Sequence, residues 1–127
     1  MIYSDFLRQL LLGSTAAFFL FFVAWAIVHR ASLANVLGYQ VTKPNGESEF
    51  GAIYIGLFFA QALLCIFAIT RIQDSAVGDL AAVFLLLQPI GRILPLFRCG
   101  APTGLLRFLF AMEVFGGVAL LLVRPNA

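Results

Sequence analysis

The stretch Gln88-Pro89-Ile90-Gly91-Arg92 places a charged side chain within a run of apolar residues, and a second apolar run downstream contains Glu113. Each run is long enough to cross a bilayer as a helix, which needs about 20 mainly apolar residues. Ionisable side chains at membrane depth are costly and usually face a partner or a cavity. We therefore predict two membrane-spanning helices in which Arg92 and Glu113 face each other.

The composition of the whole chain also indicates a membrane protein. Of its 127 residues, 62% are hydrophobic and 11% are charged, whereas a soluble domain typically carries about 25% charged side chains. The net charge of +2 comes from scattered basic residues, which does not fit a nucleic-acid-binding surface. Cys65 and Cys99 lack the spacing of metal ligands and lie in segments expected at different depths, so we predict neither a disulfide nor a metal site.

Apolar runs that fit membrane spans lie at residues 10–28, 50–69, 80–97 and 105–123. The first run is longer than the roughly 7 to 15 residues of a signal-peptide core, so we expect it to be retained. Turn-forming residues separate the runs. These features predict an all-α fold: a single domain, residues 1–127, that forms an integral membrane four-helix up-and-down bundle. The long connection of residues 31–49 is expected to be an ordered loop or a short helix that caps the bundle.

The distribution of side chains around each span predicts how the helices pack. Four phenylalanines surround span one and suggest an apolar surface that faces lipid or a protein partner: Phe18, Phe19, Phe21 and Phe22. In span two, Ala52, Gly56 and Ala60 continue from Glu49 as one stripe, which we expect to pack against another helix. Tyr54, Gln61 and Cys65 occupy a different, more polar face, which is a candidate pocket lining.

Spans three and four carry residues that alter regular helix packing. Pro89 and Pro95 each remove a backbone donor and favour kinks. Gly116 and Gly117 follow Glu113 closely, so another helix can approach on the side of that carboxylate.

Antiparallel threading brings the start of span two, the end of span three and the start of span four to one membrane face. The candidate polar constellation comprises Glu49, Tyr54, Gln61, Gln88, Arg92, Arg107 and Glu113. One interpretation is an ion-pair network that neutralises charge and joins spans three and four. The other is a polar cavity that contacts the head of an amphipathic ligand or relays protons.

The remaining charges do not determine the orientation in the membrane. Arg8, Arg71 and Arg124 fall on one side and an equal number of basic residues on the other, so the distribution of positive charge shows no bias. The equipment for catalysis is sparse, since His29 is the sole histidine and no nucleophile with a recognisable base is evident. We predict no catalytic residue, no cofactor and no metal, and an enzyme is the less favoured interpretation.

Three segments resemble a known family: NGESEFGAIYIG at residues 45–56, GRILPLFRCGAPT at residues 91–103, and Met112-Glu113. They are similar to DoxX-like four-helix bacterial membrane proteins grouped as domain of unknown function 4345, and the resemblance covers residues 37–122. It implies a compact multi-pass bundle in the bacterial inner membrane and no established activity. The family's polar and small core positions would correspond to Glu49, Tyr54, Gly56, Arg92 and Glu113.

Two functions remain open at this point. The first is a small non-enzymatic membrane protein that lies in the lipid bilayer and acts as an accessory or assembly subunit of a larger membrane complex. The second is a carrier that binds a lipid or a quinone in a polar intramembrane pocket, where Arg92 contacts the head group of the ligand.

Overall fold

The computed structural model describes residues 2–38, 40, 44–100 and 103–125. A two-residue strand, β1 (Ile2–Tyr3), precedes helices α1 (Asp5–Val28) and α2 (Arg30–Leu37). Helix α3 (Asn45–Gly51), a π-helical segment (Ala52–Leu57) and α4 (Phe58–Thr70) follow one another without a break. Helices α5 (Ser75–Gly91), α6 (Ile93–Cys99) and α7 (Leu105–Leu122) lead to strand β2 (Val123–Arg124).

Within the described part of the chain, four helical stretches are long and apolar enough to cross a membrane: Asp5–Val28, Asn45–Thr70, Ser75–Cys99 and Leu105–Leu122. α1 packs against α4, α4 against α5, α5 against α7, and α7 contacts α1. The four spans therefore form a ring in which each span packs against the next one along the chain, and the last contacts the first. This confirms the predicted all-α fold with four membrane-spanning helices.

α1 and α5 start before the predicted apolar runs, and a polar side chain caps the start of each. Ser4 Oγ accepts a hydrogen bond of 3.1 Å from the backbone N–H of Leu7, and Asp74 accepts one of 3.2 Å from the N–H of Ala76. Such caps satisfy N–H groups that the first turn leaves free, and they can extend a helix beyond its apolar segment. Arg8 and Asp79, which lie outside the predicted spans, are consequently part of α1 and α5.

The two ends of the chain meet at one end of the bundle. Ile2 pairs with Val123 and Tyr3 pairs with Arg124 in a short parallel ladder. Four crossings return the chain to its starting side, as the sequence predicts. The ladder places the first turns of α1 beside the end of α7.

The core is aromatic where α1 faces the second span. Phe19 and Phe22 are buried and pack edge-on against Phe58, with centroid distances of 4.7 and 6.0 Å. Phe21 is exposed. The phenylalanines of span one are thus divided between core and surface, and the predicted outward-facing ring holds only for part of them.

The predicted packing stripe of the second span is wrong. Ala52, Gly56 and Ala60 are all exposed, whereas Tyr54 and Phe58 are buried. Large side chains bury more apolar area than alanine or glycine, and this face is the one that meets α1. The sequence pattern assumed a regular α-helix, whereas the segment from Ala52 to Leu57 is π-helical and changes the angular positions of these residues.

The close approach predicted beside Glu113 is confirmed. A Cβ atom added at Gly117 would lie 2.4 Å from Leu86 Cγ, and one at Gly116 would lie 3.2 Å from Leu85 Cδ2. Only a glycine at position 117 allows α7 to pack this tightly against α5.

The helix of the third span is interrupted at Arg92, which separates α5 from α6. The N–H of Arg92 donates to the carbonyl of Pro89 at 3.1 Å, and the N–H of Leu96 donates to the carbonyl of Arg92 at 3.0 Å. The interruption lies within one turn after Pro89, which lacks a backbone N–H. At the same end, the buried Leu33 and Leu37 of α2 pack on the bundle, so part of the long connection is a short capping helix.

Candidate functional site

The structure places Arg92 and Glu113 beside each other. Arg92 Nη2 lies 3.6 Å from Glu113 Oε1; the Glu113 side chain is 0% exposed and that of Arg92 is 27% exposed. This distance is longer than a normal charged hydrogen bond. Within the described residues, neither carboxylate oxygen nor Arg92 Nε has a hydrogen-bond partner. The pair is therefore held by charge and leaves hydrogen-bonding capacity on both side chains.

The other predicted site residues are distributed over different surroundings. Tyr54 is buried and packs against Phe50 and Phe58, with centroid distances of 4.8 and 5.1 Å. Glu49 and Arg107 are exposed, and neither forms an ion pair with another described residue. The predicted convergence of two carboxylates and two guanidiniums is reduced to one pair in the described part of the chain.

Gln61 and Gln88 line a groove between the second and third spans, which we call the membrane groove. Its volume is about 630 Å³, and its other walls come from Ile53–Leu64 and Leu80–Leu87. The Gln61 amide donates to the carbonyl of Ala81 at 3.2 Å and so links the two spans. Gln88 is partly exposed and makes no hydrogen bond to any other described residue. The groove is thus apolar with one available amide.

Arg92 lines a second cavity at the end of the bundle, which we call the mouth cavity. It has a volume of about 500 Å³ and is bounded by residues 36–38 at the end of α2, by the α6 residues Pro95, Leu96 and Cys99, and by the start of α7. Glu113 does not line this cavity. Arg92 therefore contacts both the cavity and Glu113.

A second polar cluster, at the opposite end of the bundle, was not predicted from the sequence. Arg8 is 1% exposed, and its guanidinium donates to the carbonyls of Leu120, Val123 and Ser75 at 2.8, 2.6 and 3.0 Å. It also lies 3.3 Å from Asp79 Oδ1. Free carbonyls at a helix end carry partial negative charge, so Arg8 both caps α7 and forms part of an ion pair.

Arg124 completes this terminal cluster. It contacts both carboxylate oxygens of Asp79, at 3.0 Å for Oδ2 and at a shorter distance for Oδ1. Hydrogen bonding to Asp79 raises the pKa of Arg124 above its ordinary value. One carboxylate therefore serves two guanidiniums, and the cluster joins α1, α5 and β2. A signal for it exists in the sequence: Arg8, Asp79 and Arg124 are charged residues next to apolar runs that antiparallel threading brings to one face.

Gly78 provides the space for the buried arginine. A Cβ atom at this position would lie 2.2 Å from Arg8 Nη2 and 2.8 Å from Arg8 Cζ. We expect Gly78→Ala to lower the free energy of unfolding by about 1–3 kcal/mol, because a guanidinium fixed by several hydrogen bonds cannot move aside without losing them. Denaturant unfolding of the purified protein in detergent measures the change.

The matched control for that substitution is Gly51→Ala, at a helical glycine with nothing within 4 Å of the added atom. It should be neutral or stabilising by up to about 1 kcal/mol. Equal effects of the two substitutions would show that the contact with Arg8 does not limit position 78.

The described residues contain no group of three or more His, Cys, Asp or Glu side chains that could hold a metal ion. Cys65 is buried and Cys99 is exposed, and both are free thiols. The described residues thus offer a charged pair and apolar cavities.

Four apolar helices around a buried ion pair define a small multi-pass membrane protein whose outer surface contacts the lipid bilayer. Residues 7–124 match the family described as Domain of unknown function (DUF4345), and the protein belongs to this family. The predicted membership of domain of unknown function 4345 is confirmed, and the DoxX-like relationship stays a prediction. No match was found among curated proteins or among solved structures.

Proposed function

We propose that this protein binds a lipid-like molecule whose apolar chain occupies the membrane groove. The observation that carries the proposal is a groove of about 630 Å³, within the range of about 300–1,000 Å³ that is usual for small-molecule sites. Its walls are apolar apart from Gln61 and Gln88. Apolar walls with a few polar groups are typical of sites that bury a chain and orient a head.

The two glutamines have different roles in this proposal. The Gln61 amide nitrogen already donates to Ala81 and, at 3.7 Å, to Cys65 Sγ, so Gln61 maintains the spacing of the two walls. Gln88 is partly exposed, and its amide is free to bond a ligand carbonyl or hydroxyl. A polar group facing hydrocarbon without a partner is costly, and a bound ester or carbonyl group would remove that cost.

Photoaffinity labelling tests the groove directly. A fatty alcohol that carries a diazirine in its chain is added to the full-length protein in nanodiscs, irradiated, and mapped by peptide mass spectrometry. We expect the label on Ile53, Leu57, Phe84 and Leu87, which line the groove. Extraction of the molecule that co-purifies with the protein then distinguishes a lipid from a quinone.

A groove-filling variant supplies the matched control. Ala60 lines the groove and is exposed, so Ala60→Trp should block labelling without disturbing the core. Ala111→Trp, on the outer face of α7, should leave labelling unchanged. Labelling spread evenly along all four spans, insensitive to Ala60→Trp, would contradict the proposal.

A second candidate function, docking to a larger membrane complex, is favoured by a different surface. The outer face of α7 carries an apolar hollow of about 550 Å³, whose lining includes Ala111, Phe115 and Ala119. Small residues let a partner helix approach closely within a membrane. In this case Ala111→Trp would release a co-purifying subunit and Ala60→Trp would not, the reverse of the result expected for the groove.

The cellular setting belongs to the same proposal. The resemblance to DoxX-like proteins favours a bacterial inner membrane, and both candidate functions require the bilayer that the four spans imply. Cell fractionation of the source organism with an antibody against the protein tests the location.

A further inference from the structure

We propose that the mouth cavity binds a phosphate oxyanion, with the headgroup of a membrane lipid as its source. This inference deepens the proposed function, because it names the headgroup of the molecule whose chain occupies the membrane groove. Of the described residues that line the cavity, Arg92 is the one that carries a charge. Three features favour the binding of an anion here: the N–H donors of Arg92, the start of α7, and the charges of the surrounding sequence.

Arg92 has donors to offer despite its ion pair. A guanidinium carries five N–H groups, and Arg92 Nη2 is engaged by Glu113 only at 3.6 Å. Arg92 Nε is buried, so the donors that a cavity ligand can reach are the terminal N–H groups of this partly exposed side chain. The planar end of a guanidinium can bind a phosphate through two parallel hydrogen bonds. Arg92 can therefore offer these terminal N–H groups to a phosphate while Nη2 also faces Glu113.

The start of α7 lies at the same cavity. Thr103, Gly104 and Leu106 line it. α7 begins after Gly104 without a side-chain cap and has no acidic residue in its first turn. The amide groups of a first turn carry partial positive charge, and here no side chain offsets it. This helix end adds to the field of Arg92.

The sequence around the cavity is cationic. Between residues 80 and 122 it contains Arg92, Arg98 and Arg107 and one acidic residue, Glu113, which pairs with Arg92. Arg107 stands in the first turn of α7 and is exposed, a position where a cation opposes the helix dipole. An anion bound between this turn and Arg92 would reverse that unfavourable effect.

The position of the cavity favours a lipid over a free anion. Gln88 of α5 lines the membrane groove and Arg92, which follows α5, lines the mouth cavity, so the two cavities lie about one helical turn apart along the third span. One amphipathic molecule can thus place its chain in the groove and its phosphate beside Arg92.

Native mass spectrometry of the full-length protein tests the inference with three probes: dioleoyl phosphatidic acid, dioleoylglycerol with the same chains and no phosphate, and inorganic phosphate. We expect phosphatidic acid to bind at least about 10-fold more tightly than dioleoylglycerol, the range of one charge-assisted hydrogen bond. Arg92→Gln should abolish this preference and leave dioleoylglycerol binding unchanged.

Two further variants protect the test against a folding defect. Arg107→Gln changes an exposed side chain and should weaken phosphatidic acid binding by about 3-fold. Arg71→Gln, at an exposed arginine beside Phe67 in the connection before α5, should have no effect. If neither Arg92→Gln nor Arg107→Gln lowers the preference, the inference is overturned.

The probes separate this inference from the function on which it rests. Equal binding of phosphatidic acid and dioleoylglycerol would overturn the phosphate site and support the groove. Binding of neither lipid would overturn both. Binding of inorganic phosphate that depends on Arg92, together with phosphatidic acid binding that survives Ala60→Trp, would support an oxyanion site and overturn the lipid as its source.

Discussion

Arg8→Met should lower the free energy of unfolding by about 3–5 kcal/mol, the range found when one partner of a buried charged network is removed. The loss follows from the hydrogen bonds that Arg8 donates. The carbonyls of Leu120, Val123 and Ser75 lose their donor, and a buried carbonyl left unpaired costs about 1–3 kcal/mol. Unfolding in a mixed detergent titration, followed by helical circular dichroism, measures the change.

The control for this substitution is Arg71→Met, on the same side of the bundle by threading. Arg71 is exposed, and its guanidinium lies 5.5 Å from the Phe67 ring, a contact worth about 0.5–1 kcal/mol at an exposed site. Its removal should cost no more than that. Similar losses for the two variants would show that burial of Arg8 does not contribute specifically. Asp79 keeps Arg124 as a partner in either case.

Arg92→Met should lower the free energy of unfolding by about 2–4 kcal/mol, a range reduced from that of a fully buried pair because Arg92 is partly exposed. The substitution leaves Glu113 buried at 0% exposure without a cation. The double variant Arg92→Met/Glu113→Leu should recover most of the loss, since an apolar pair of similar volume is often as stable as a buried ion pair. A double-mutant cycle from unfolding titrations of the four proteins measures the coupling.

The same double variant separates the structural and binding roles of Arg92. If the pair serves stability alone, the double variant regains both stability and lipid binding. If Arg92 also binds phosphate, stability returns and the preference for phosphatidic acid does not. Additive effects of the single substitutions would mean that the 3.6 Å pair has no measurable coupling.

The candidate site shows where reasoning from the sequence succeeds. Arg92 and Glu113 stand out because each interrupts an apolar run, and charge within hydrocarbon requires compensation. Each of these spans offers few other charged residues, so the antiparallel order of the spans was enough to predict that Arg92 and Glu113 pair. The same reasoning did not reach the terminal cluster, because Arg8 and Asp79 lie at the ends of apolar runs, where charges usually face water or lipid headgroups.

The sequence predicted less well which helix faces pack inside the bundle. The stripe of Ala52, Gly56 and Ala60 satisfies helical periodicity, yet it is exposed. Every face of such a span is apolar, so hydrophobicity does not distinguish the lipid side from the protein side. The π-helical segment from Ala52 to Leu57 adds a rotation that periodicity does not contain.

Sequence reasoning predicts the number of spans, their antiparallel order and the pairing of Arg92 with Glu113, since a bilayer demands helices of about 20 apolar residues and penalises unpaired charge. Packing in the folded bundle sets the burial of Arg8, the space made for it by Gly78, and the positions of the membrane groove and the mouth cavity. These features depend on distances of a few ångströms between helices, and such distances are set by the packing of side chains from segments far apart in the chain.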